Sequence, residues 1–464
     1  MKISKLAIEN FKKFRDRFDF DLSEQNFLVG ENNTGKTSVI DAINYLFSGP
    51  EKDKHYKNLD AGPTEHILVE AIICGDFSSI DKKYQDYIFA DEEGSTYMRV
   101  KRSSKAETIE QAGKEVTLNE SKIQCWSSER KRFENPSGKD TTFNVLEVVS
   151  IYANDHVDDV VSFDSTKILG KLVKGSVGDF FETPEYLEFK TQHDTVFNSG
   201  PNSLNSRLGA LAEDISQILK EQWGDIELSF KFDPSDNSNH LKKGSVLIKD
   251  KEEEEGDGHK LEDKGSGLQR SVMLSMIQAL SKIYTSGTDS NIILCIDEPE
   301  LNLHPRAQER LAAALGRLSK NIQIIVSTHS PYILKSFEKD SDTVYVFEDG
   351  KNATVKLLEK LSILPFGPTL AEIQYFAYKL TPNDLHNELY GYLELEKALS
   401  FSNTKTWIKE NKDGSKEPPE QVSLQKYIRH FIHHPENTSN VNFTDAEIAQ
   451  SVEEMVIVVE SLTP

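Results

Sequence analysis

Residues 30–37 read Gly30-Glu31-Asn32-Asn33-Thr34-Gly35-Lys36-Thr37, two glycines, a lysine and a hydroxyl at G-x-x-x-x-G-K-[ST] spacing. The chemistry is that of a phosphate cradle. Gly30 and Gly35 let the backbone curl with several N–H groups turned inward, and a helix N-terminus adds its positive dipole end. Asn32, Asn33 and Ser38 belong to the same binding stretch. Lys36 would reach the β- and γ-phosphates, and the Thr37 hydroxyl would hold Mg²⁺. The elements that must position these groups are legible on both sides. Phe27-Leu28-Val29 is an apolar strand leading in, and Val39, Ile40, Ile43, Leu46 and Phe47 follow at helical spacing. Motif, strand and helix agree, which a chance glycine-rich turn would not.

A second stretch, 291–311, reads NIILCIDEPELNLHPRAQERL. An apolar strand there ends in Asp297-Glu298, two carboxylates at the carboxyl edge of a parallel sheet, where ligands bind. Asp297 suits the Mg²⁺ shell, and Glu298 suits orienting or deprotonating an attacking water. Glu300, Asn302 and His304 follow in the loop, where Asn302 could contact a neighbouring subunit. In QIIVSTHSP, 323–331, another strand ends at Ser327-Thr328-His329. A histidine there can hydrogen-bond a γ-phosphate and sense its loss. In DKGSGLQRSVMLSMIQAL, 263–280, Gly265, Ser266, Gly267 and Gln269 open an amphipathic helix. Ser266 and the helix N–H groups would form a second anion site, a weak signal that taken alone reads better as a flexible helix start.

Composition bounds the rest. The chain has 464 residues, enough for two or three domains, and carries 76 acidic against 54 basic residues, a formal charge of −22. Its pI is near 5.1. The summed field therefore repels nucleic acid, although a local groove lined by residues 99–102 or 130–132 stays compatible with it. Cys74, Cys125 and Cys295 have neither metal nor disulfide spacing, which fits a reducing cytosol. The N-terminus reads as a charged strand rather than a signal peptide, and no apolar run approaches a membrane span. A cytoplasmic protein without membrane partners is expected.

Along the chain, 1–22 reads as an antiparallel hairpin and 66–77 as a strand. The polar stretch 92–144 reads as short strands with loops, and 145–152 as a buried strand. The pattern turns helical over 155–223, clearest at 204–223, with no sustained heptad run. Strands follow at 226–232 and 245–250, then an acidic run that reads as a solvated loop. The runs at 292–297 and 322–328 look like a buried parallel sheet. VYVFED from Val344 is one more strand. From about Thr369 the chain reads as mostly helical, interrupted by a polar loop at 409–420. The stretch 366–380 reads as a capped apolar helix, docking or core rather than a site.

GENNTGKTS, GSGLQR, CIDEPELNLHP and STHSP, in this order, resemble the ABC-type ATPases that include RecF, the structural-maintenance-of-chromosomes (SMC) proteins and the overcoming-lysogenization-defect (OLD) nucleases. The resemblance covers residues 1–48 and about 260–347, plus the strands between. It implies an α/β fold: an ABC-type P-loop head with a β-rich lobe, a short helical insertion and a helical C-terminal extension. The implied division is 1–154 and 225–350 for the ATPase, 155–224 for the insertion and 351–464 for the extension. It further implies ATP and Mg²⁺ as ligands. Two copies would face head to tail, with each ATP held between the phosphate loop of one and Ser266, Gly267 and Gln269 of the other. Asn302 and His304 would lie at that interface. No glutamine has a convincing Q-loop context between 66 and 156.

Long coiled-coil arms are absent, and no glutamate-plus-DxD pattern with a Toprim layout follows residue 350. The chain therefore looks most like the ATPase half of two-gene phage-defence systems, such as the AriA-type, Septu and RloA-like pairs. An ATP-driven sensor or scaffold that controls a separate effector nuclease, triggered by a phage protein, is the expectation. Two alternatives stay open. Arg429 and His434 stand in an R-x4-H spacing similar to HEPN ribonucleases, and His430, His433 and His434 could bind metal. A helix end stopped by Pro435, with histidines at its negative terminus, explains the same residues. A RecF-like DNA-repair ATPase is the other alternative.

Overall fold

The computed structural model describes residues 1–153, 169, 201–232, 244–250, 258–285 and 291–462, apart from 79, 92, 112, 137–142, 144 and 412. Most of the helical insertion expected over 155–224 lies outside these residues. Contacts divide the chain into two compact units. One is Met1–Leu28, Asn33–Thr343 and Lys351–Ala353; the other is Val29–Asn32, Val344–Gly350 and Thr354–Pro464.

In chain order the first elements are β1 (Lys2–Glu9), β2 (Phe18–Asp21), β3 (Gln25–Gly30), α1 (Lys36–Ser48), β4 (Leu68–Cys74), β5 (Ile88–Ala90) and β6 (Thr96–Ser103). Then come β7 (Glu107–Gln111), β8 (Lys114–Leu118), β9 (Gln124–Ser127), β10 (Arg132–Glu134), β11 (Glu147–Ile151) and α2 (Leu204–Gln222). They are followed by β12 (Ile226–Phe232), β13 (Gly244–Asp250), β14 (His259–Lys260), α3 (Ser266–Thr285), β15 (Ile292–Asp297), α4 (Pro305–Leu318) and β16 (Gln323–Thr328). The chain continues through β17 (Asp342–Glu348), β18 (Thr354–Leu357), α5 (Leu370–Tyr378), α6 (Asn383–Leu395), β19 (Thr404–Trp407), β20 (Glu420–Ser423), α7 (Leu424–His433) and α8 (Asp445–Leu462).

The central sheet has the order β11-β15-β16-β3-β17-β18. Every residue of β3, β15 and β16 is buried, which is why these strands are unbroken apolar runs rather than alternating ones. β15 runs parallel to β11 and to β16, and Asp297 pairs in register with Ser327. The two acid- and hydroxyl-bearing strand ends therefore meet at one sheet edge.

The antiparallel lobe has the order β10-β9-β6-β4-β1-β2, with β5 on β6, and buries three consecutive residues in each of β1 and β4. Four of its basic residues have polar partners. Arg102 is 1% exposed and donates to the carbonyls of Leu46 and Glu120 at 2.9 and 2.6 Å. Arg99 pairs with Glu70, and Arg130 and Arg132 both pair with the buried Glu134. A short run of cations reads alike whether solvated or paired, so the sequence could not separate the two.

In the second unit, α5 begins with a capping box between Thr369 and Glu372. Leu385, Leu389 and Leu393 of α6 pack with Ile428 of α7 and Val452, Met455 and Val459 of α8. The polar loop expected at 409–420 lies largely between β19 and β20, an antiparallel pair within a region expected to be mostly helical. Trp407 and Val422 turn inward from it and pack on Tyr427. Four-residue strands with a single apolar residue facing in give too little period-2 signal to find.

Candidate nucleotide site

Gly30 has φ +138°, and a Cβ there would meet the Phe347 carbonyl oxygen at 2.2 Å. Only glycine fits so close a backbone approach. Gly35, at φ +114°, is the N-cap of α1 with no side-chain cap, and its carbonyl accepts the Ser38 N–H at 3.0 Å. Asn33 shares the left-handed region at φ +61°, and Asn32 and Asn33 are exposed. Lys36 and Ser38 are buried at the first turn.

The Thr37 hydroxyl lies 3.1 and 3.2 Å from the two carboxylate oxygens of Asp297. Ser327 Oγ donates to the same carboxylate. Glu298 follows at φ +46°, a left-handed conformation that is costly for a glutamate and is held because its N–H bonds the Ser327 carbonyl at 2.9 Å. His329 Nε2 lies 3.4 Å from Glu298 Oε1 without hydrogen-bond alignment. Burial, helped by the Lys36 charge, pushes the His329 pKa down to about 4, so the approach joins a neutral ring to a carboxyl and is not an ion pair. Desolvation lowers Lys36 to about 8 against the pull of Glu298, Asp297 and Glu300. Desolvation, with Asp297 beside it, raises Glu298. Groups at neutral pH with displaced pKa values, gathered at one sheet edge, mark a functional site.

The GSGLQ turn is built by its own side chains. Gln269 Nε2 donates to the carbonyls of Leu261, Glu262 and Lys264 at 3.2, 3.0 and 2.8 Å, which fixes the approach to α3. Ser266 is exposed at the helix start. A Cβ on Gly267 would meet the Asn302 carbonyl oxygen at 3.2 Å, so the glycine lets α3 approach the loop after β15. His304 N-caps α4, its Nδ1 accepting from Arg306 N at 3.3 Å, while Asn302 is exposed with φ +63°.

Two contributors were not found in the sequence. Arg270, buried one turn after Ser266, donates to the carbonyls of Asp297 and Tyr152 at 3.0 and 3.3 Å and so joins α3 to the carboxylate strand. Ser327 touches Asp297 only through the β15–β16 register. Its place beside Thr328 and His329 was the one available hint.

Arg429, His430 and His434 each have a partner outside the R-x4-H spacing. Arg429 lies over the Tyr390 ring, 4.6 Å from its centroid, and donates to Asn387 O at 3.5 Å. His434 is exposed with Glu436 3.3 Å away, and His430 stacks on Trp407. Among the described residues no group of three or more His, Cys, Asp or Glu is placed to hold a metal. No described helix is long and apolar enough to cross a membrane.

The fold and this site define an ABC-type P-loop ATPase of the OLD and RecF-like group. The family model for the AAA ATPase domain matches residues 1–169 and 165–334, and the chain belongs to that family. It is 26% identical over 381 residues to the Old nuclease of Escherichia phage P2, covering 76% of this chain and 60% of that protein. It is 23% identical over 370 residues to Endonuclease GajA of Bacillus cereus (strain VD045), covering 74% and 57%. The chain thus spans about three-fifths of the length of both relatives. A looser likeness joins it to an SMC head crystallised with the C-winged helix domain of ScpA, at TM-score 0.48 and 14% identity over 78% of this chain and 100% of that one.

Proposed function

We propose that this chain binds and hydrolyses ATP as the sensor or scaffold subunit of a bacterial defence against phage, and that it controls a separate effector nuclease. The observation that carries the ATPase reading is the apposition of Thr37 and Asp297, residues 260 positions apart brought to one edge beside Lys36, Glu298 and His329. Their hydroxyl and carboxylate oxygens are the hard donors Mg²⁺ takes, at the roughly 3 Å separation of neighbouring ligands in an octahedron. Bound there, the ion would neutralise charge on the β- and γ-phosphates. The N–H groups from Gly30 to Ser38, with Asn32, Asn33 and Gly35 shaping the loop, cradle the phosphates. Lys36 pairs with the terminal ones, Glu298 orients the attacking water and His329 contacts the γ-phosphate.

A second copy supplies Ser266, Gly267 and the turn braced by Gln269, so ATP joins two chains and hydrolysis releases them. The exposure of Ser266 supports this arrangement. The defence reading draws on the relatives, one named a nuclease and one an endonuclease. A phage protein is the proposed trigger and the cytoplasm the proposed compartment. The test is co-expression with the neighbouring gene in bacteria challenged with phage. Infection-dependent growth arrest that disappears with Lys36→Ala supports the reading. A pair that changes nothing on infection removes the defence role.

A further inference from the structure

Between the Glu298 turn and the His329 strand end lies a carboxyl that the nucleotide site does not require. Glu300 Oε1 accepts the backbone N–H of His329 at 2.6 Å. Its own carbonyl accepts from Leu303 N at 3.0 Å, and Glu298 O accepts from Leu301 N at 3.1 Å, so Glu300 is part of a hydrogen-bonded turn containing Asn302. Across the same gap, Glu298 N–H bonds Ser327 O. Two bonds in opposite directions thus flank the Glu298–His329 pair, one from each strand end. Remove the Glu300 bond and the pair is held from one side only.

We propose that Glu300 is a positioning residue: it fixes the backbone of His329, and with it the separation of His329 from Glu298, for the hydrolysis step. This rests on the roles given above to Glu298 and His329. The bond is made to backbone, so it sets where the ring starts without touching the phosphates. Displacements of about 1 Å at a reacting centre cost on the order of 10²-fold in rate. Burial also favours the neutral carboxylic acid of Glu300, of which glutamine is a close isostere. An amide oxygen at the same place can accept the same N–H.

The experiment is steady-state ATP turnover by the full chain carrying Glu300→Ala or Glu300→Gln, with thermal unfolding of each. Glu300→Ala should lower kcat at least about tenfold with KM for ATP within about threefold. Glu300→Gln should return kcat to within about threefold of the unsubstituted protein. If Glu300→Ala does not fold, Glu300→Met keeps the bulk, lacks the acceptor and takes its place. An unchanged kcat, a loss seen in KM alone, or a glutamine variant as slow as alanine overturns the proposal. Slow Glu298→Gln and His329→Ala variants beside a fast Glu300→Ala would sink this inference and leave the ATPase reading standing. Normal turnover in those two variants would remove both.

Discussion

Thr37 Oγ1 sits 3.1 Å and 3.2 Å from the two carboxylate oxygens of Asp297. The start of α1 and the end of β15 thereby share one polar point, and Ser327 Oγ donates to the same carboxylate. If Mg²⁺ binds here, Asp297→Asn should raise the Mg²⁺ concentration for half-maximal ATP turnover at least ~10-fold, because an amide brings no charge to the ion. A titration of activity against Mg²⁺ checks this, and an unchanged midpoint would take Asp297 out of the ion's shell.

Lys36 should make ATP binding pH-dependent. Without nucleotide its ammonium is lost near pH 8 because burial penalises the charge. ATP affinity should therefore hold steady just below pH 8 and weaken above it, up to ~10-fold per pH unit. The sign for stability is opposite. The unfolded lysine titrates near ~10.4, so between about 8 and 10 the unfolded chain binds more protons and the nucleotide-free protein gains stability as pH rises, by at most ~1.4 kcal/mol per unit. Calorimetry and urea unfolding at pH 7.5 and 9 measure the two. Lys36→Ala should abolish the pH effect and weaken ATP binding roughly 30-fold or more.

Glu298→Gln should separate binding from hydrolysis. An amide fills the same space but cannot take a proton from water, so kcat should fall ~10²-fold or more with ATP still bound. On the two-copy reading, this variant should also persist as a dimer with ATP, visible by light scattering. Wild-type turnover would remove Glu298 from its role.

Arg102 should matter for stability and not for ligands. Arg102→Ala strips two carbonyls of their donor and opens a buried space, a cost on the order of 3 kcal/mol in urea unfolding. ATP affinity should stay within about twofold, because no ligand role is assigned to this side chain. A salt-dependent loss of DNA binding with unchanged stability would instead restore the groove reading.

Local order carried the recognition of the site. Gly30 to Thr37, the Asp297-Glu298 strand end, the GSGLQ turn and Ser327 to His329 each combine a chemical motif with the strand or helix that must hold it, so local periodicity sufficed. The hairpin of β19 and β20 and the pairing of the basic cluster were not legible in the same way. The two strands are short, with one inward apolar residue each, and nothing local distinguishes a buried Arg102, held by the carbonyls of Leu46 and Glu120, from a solvated one.

By itself, then, the sequence determined which chemical groups this protein owns and the class of element that presents each. Only the tertiary structure decided which of them meet. The Thr37–Asp297 contact, the Arg270 clasp on the Asp297 carbonyl and the Glu300 bond to His329 all follow from parallel strand register and helix placement. Register is set by burying whole apolar strands against one another, a condition summed over the sheet and written in no single segment.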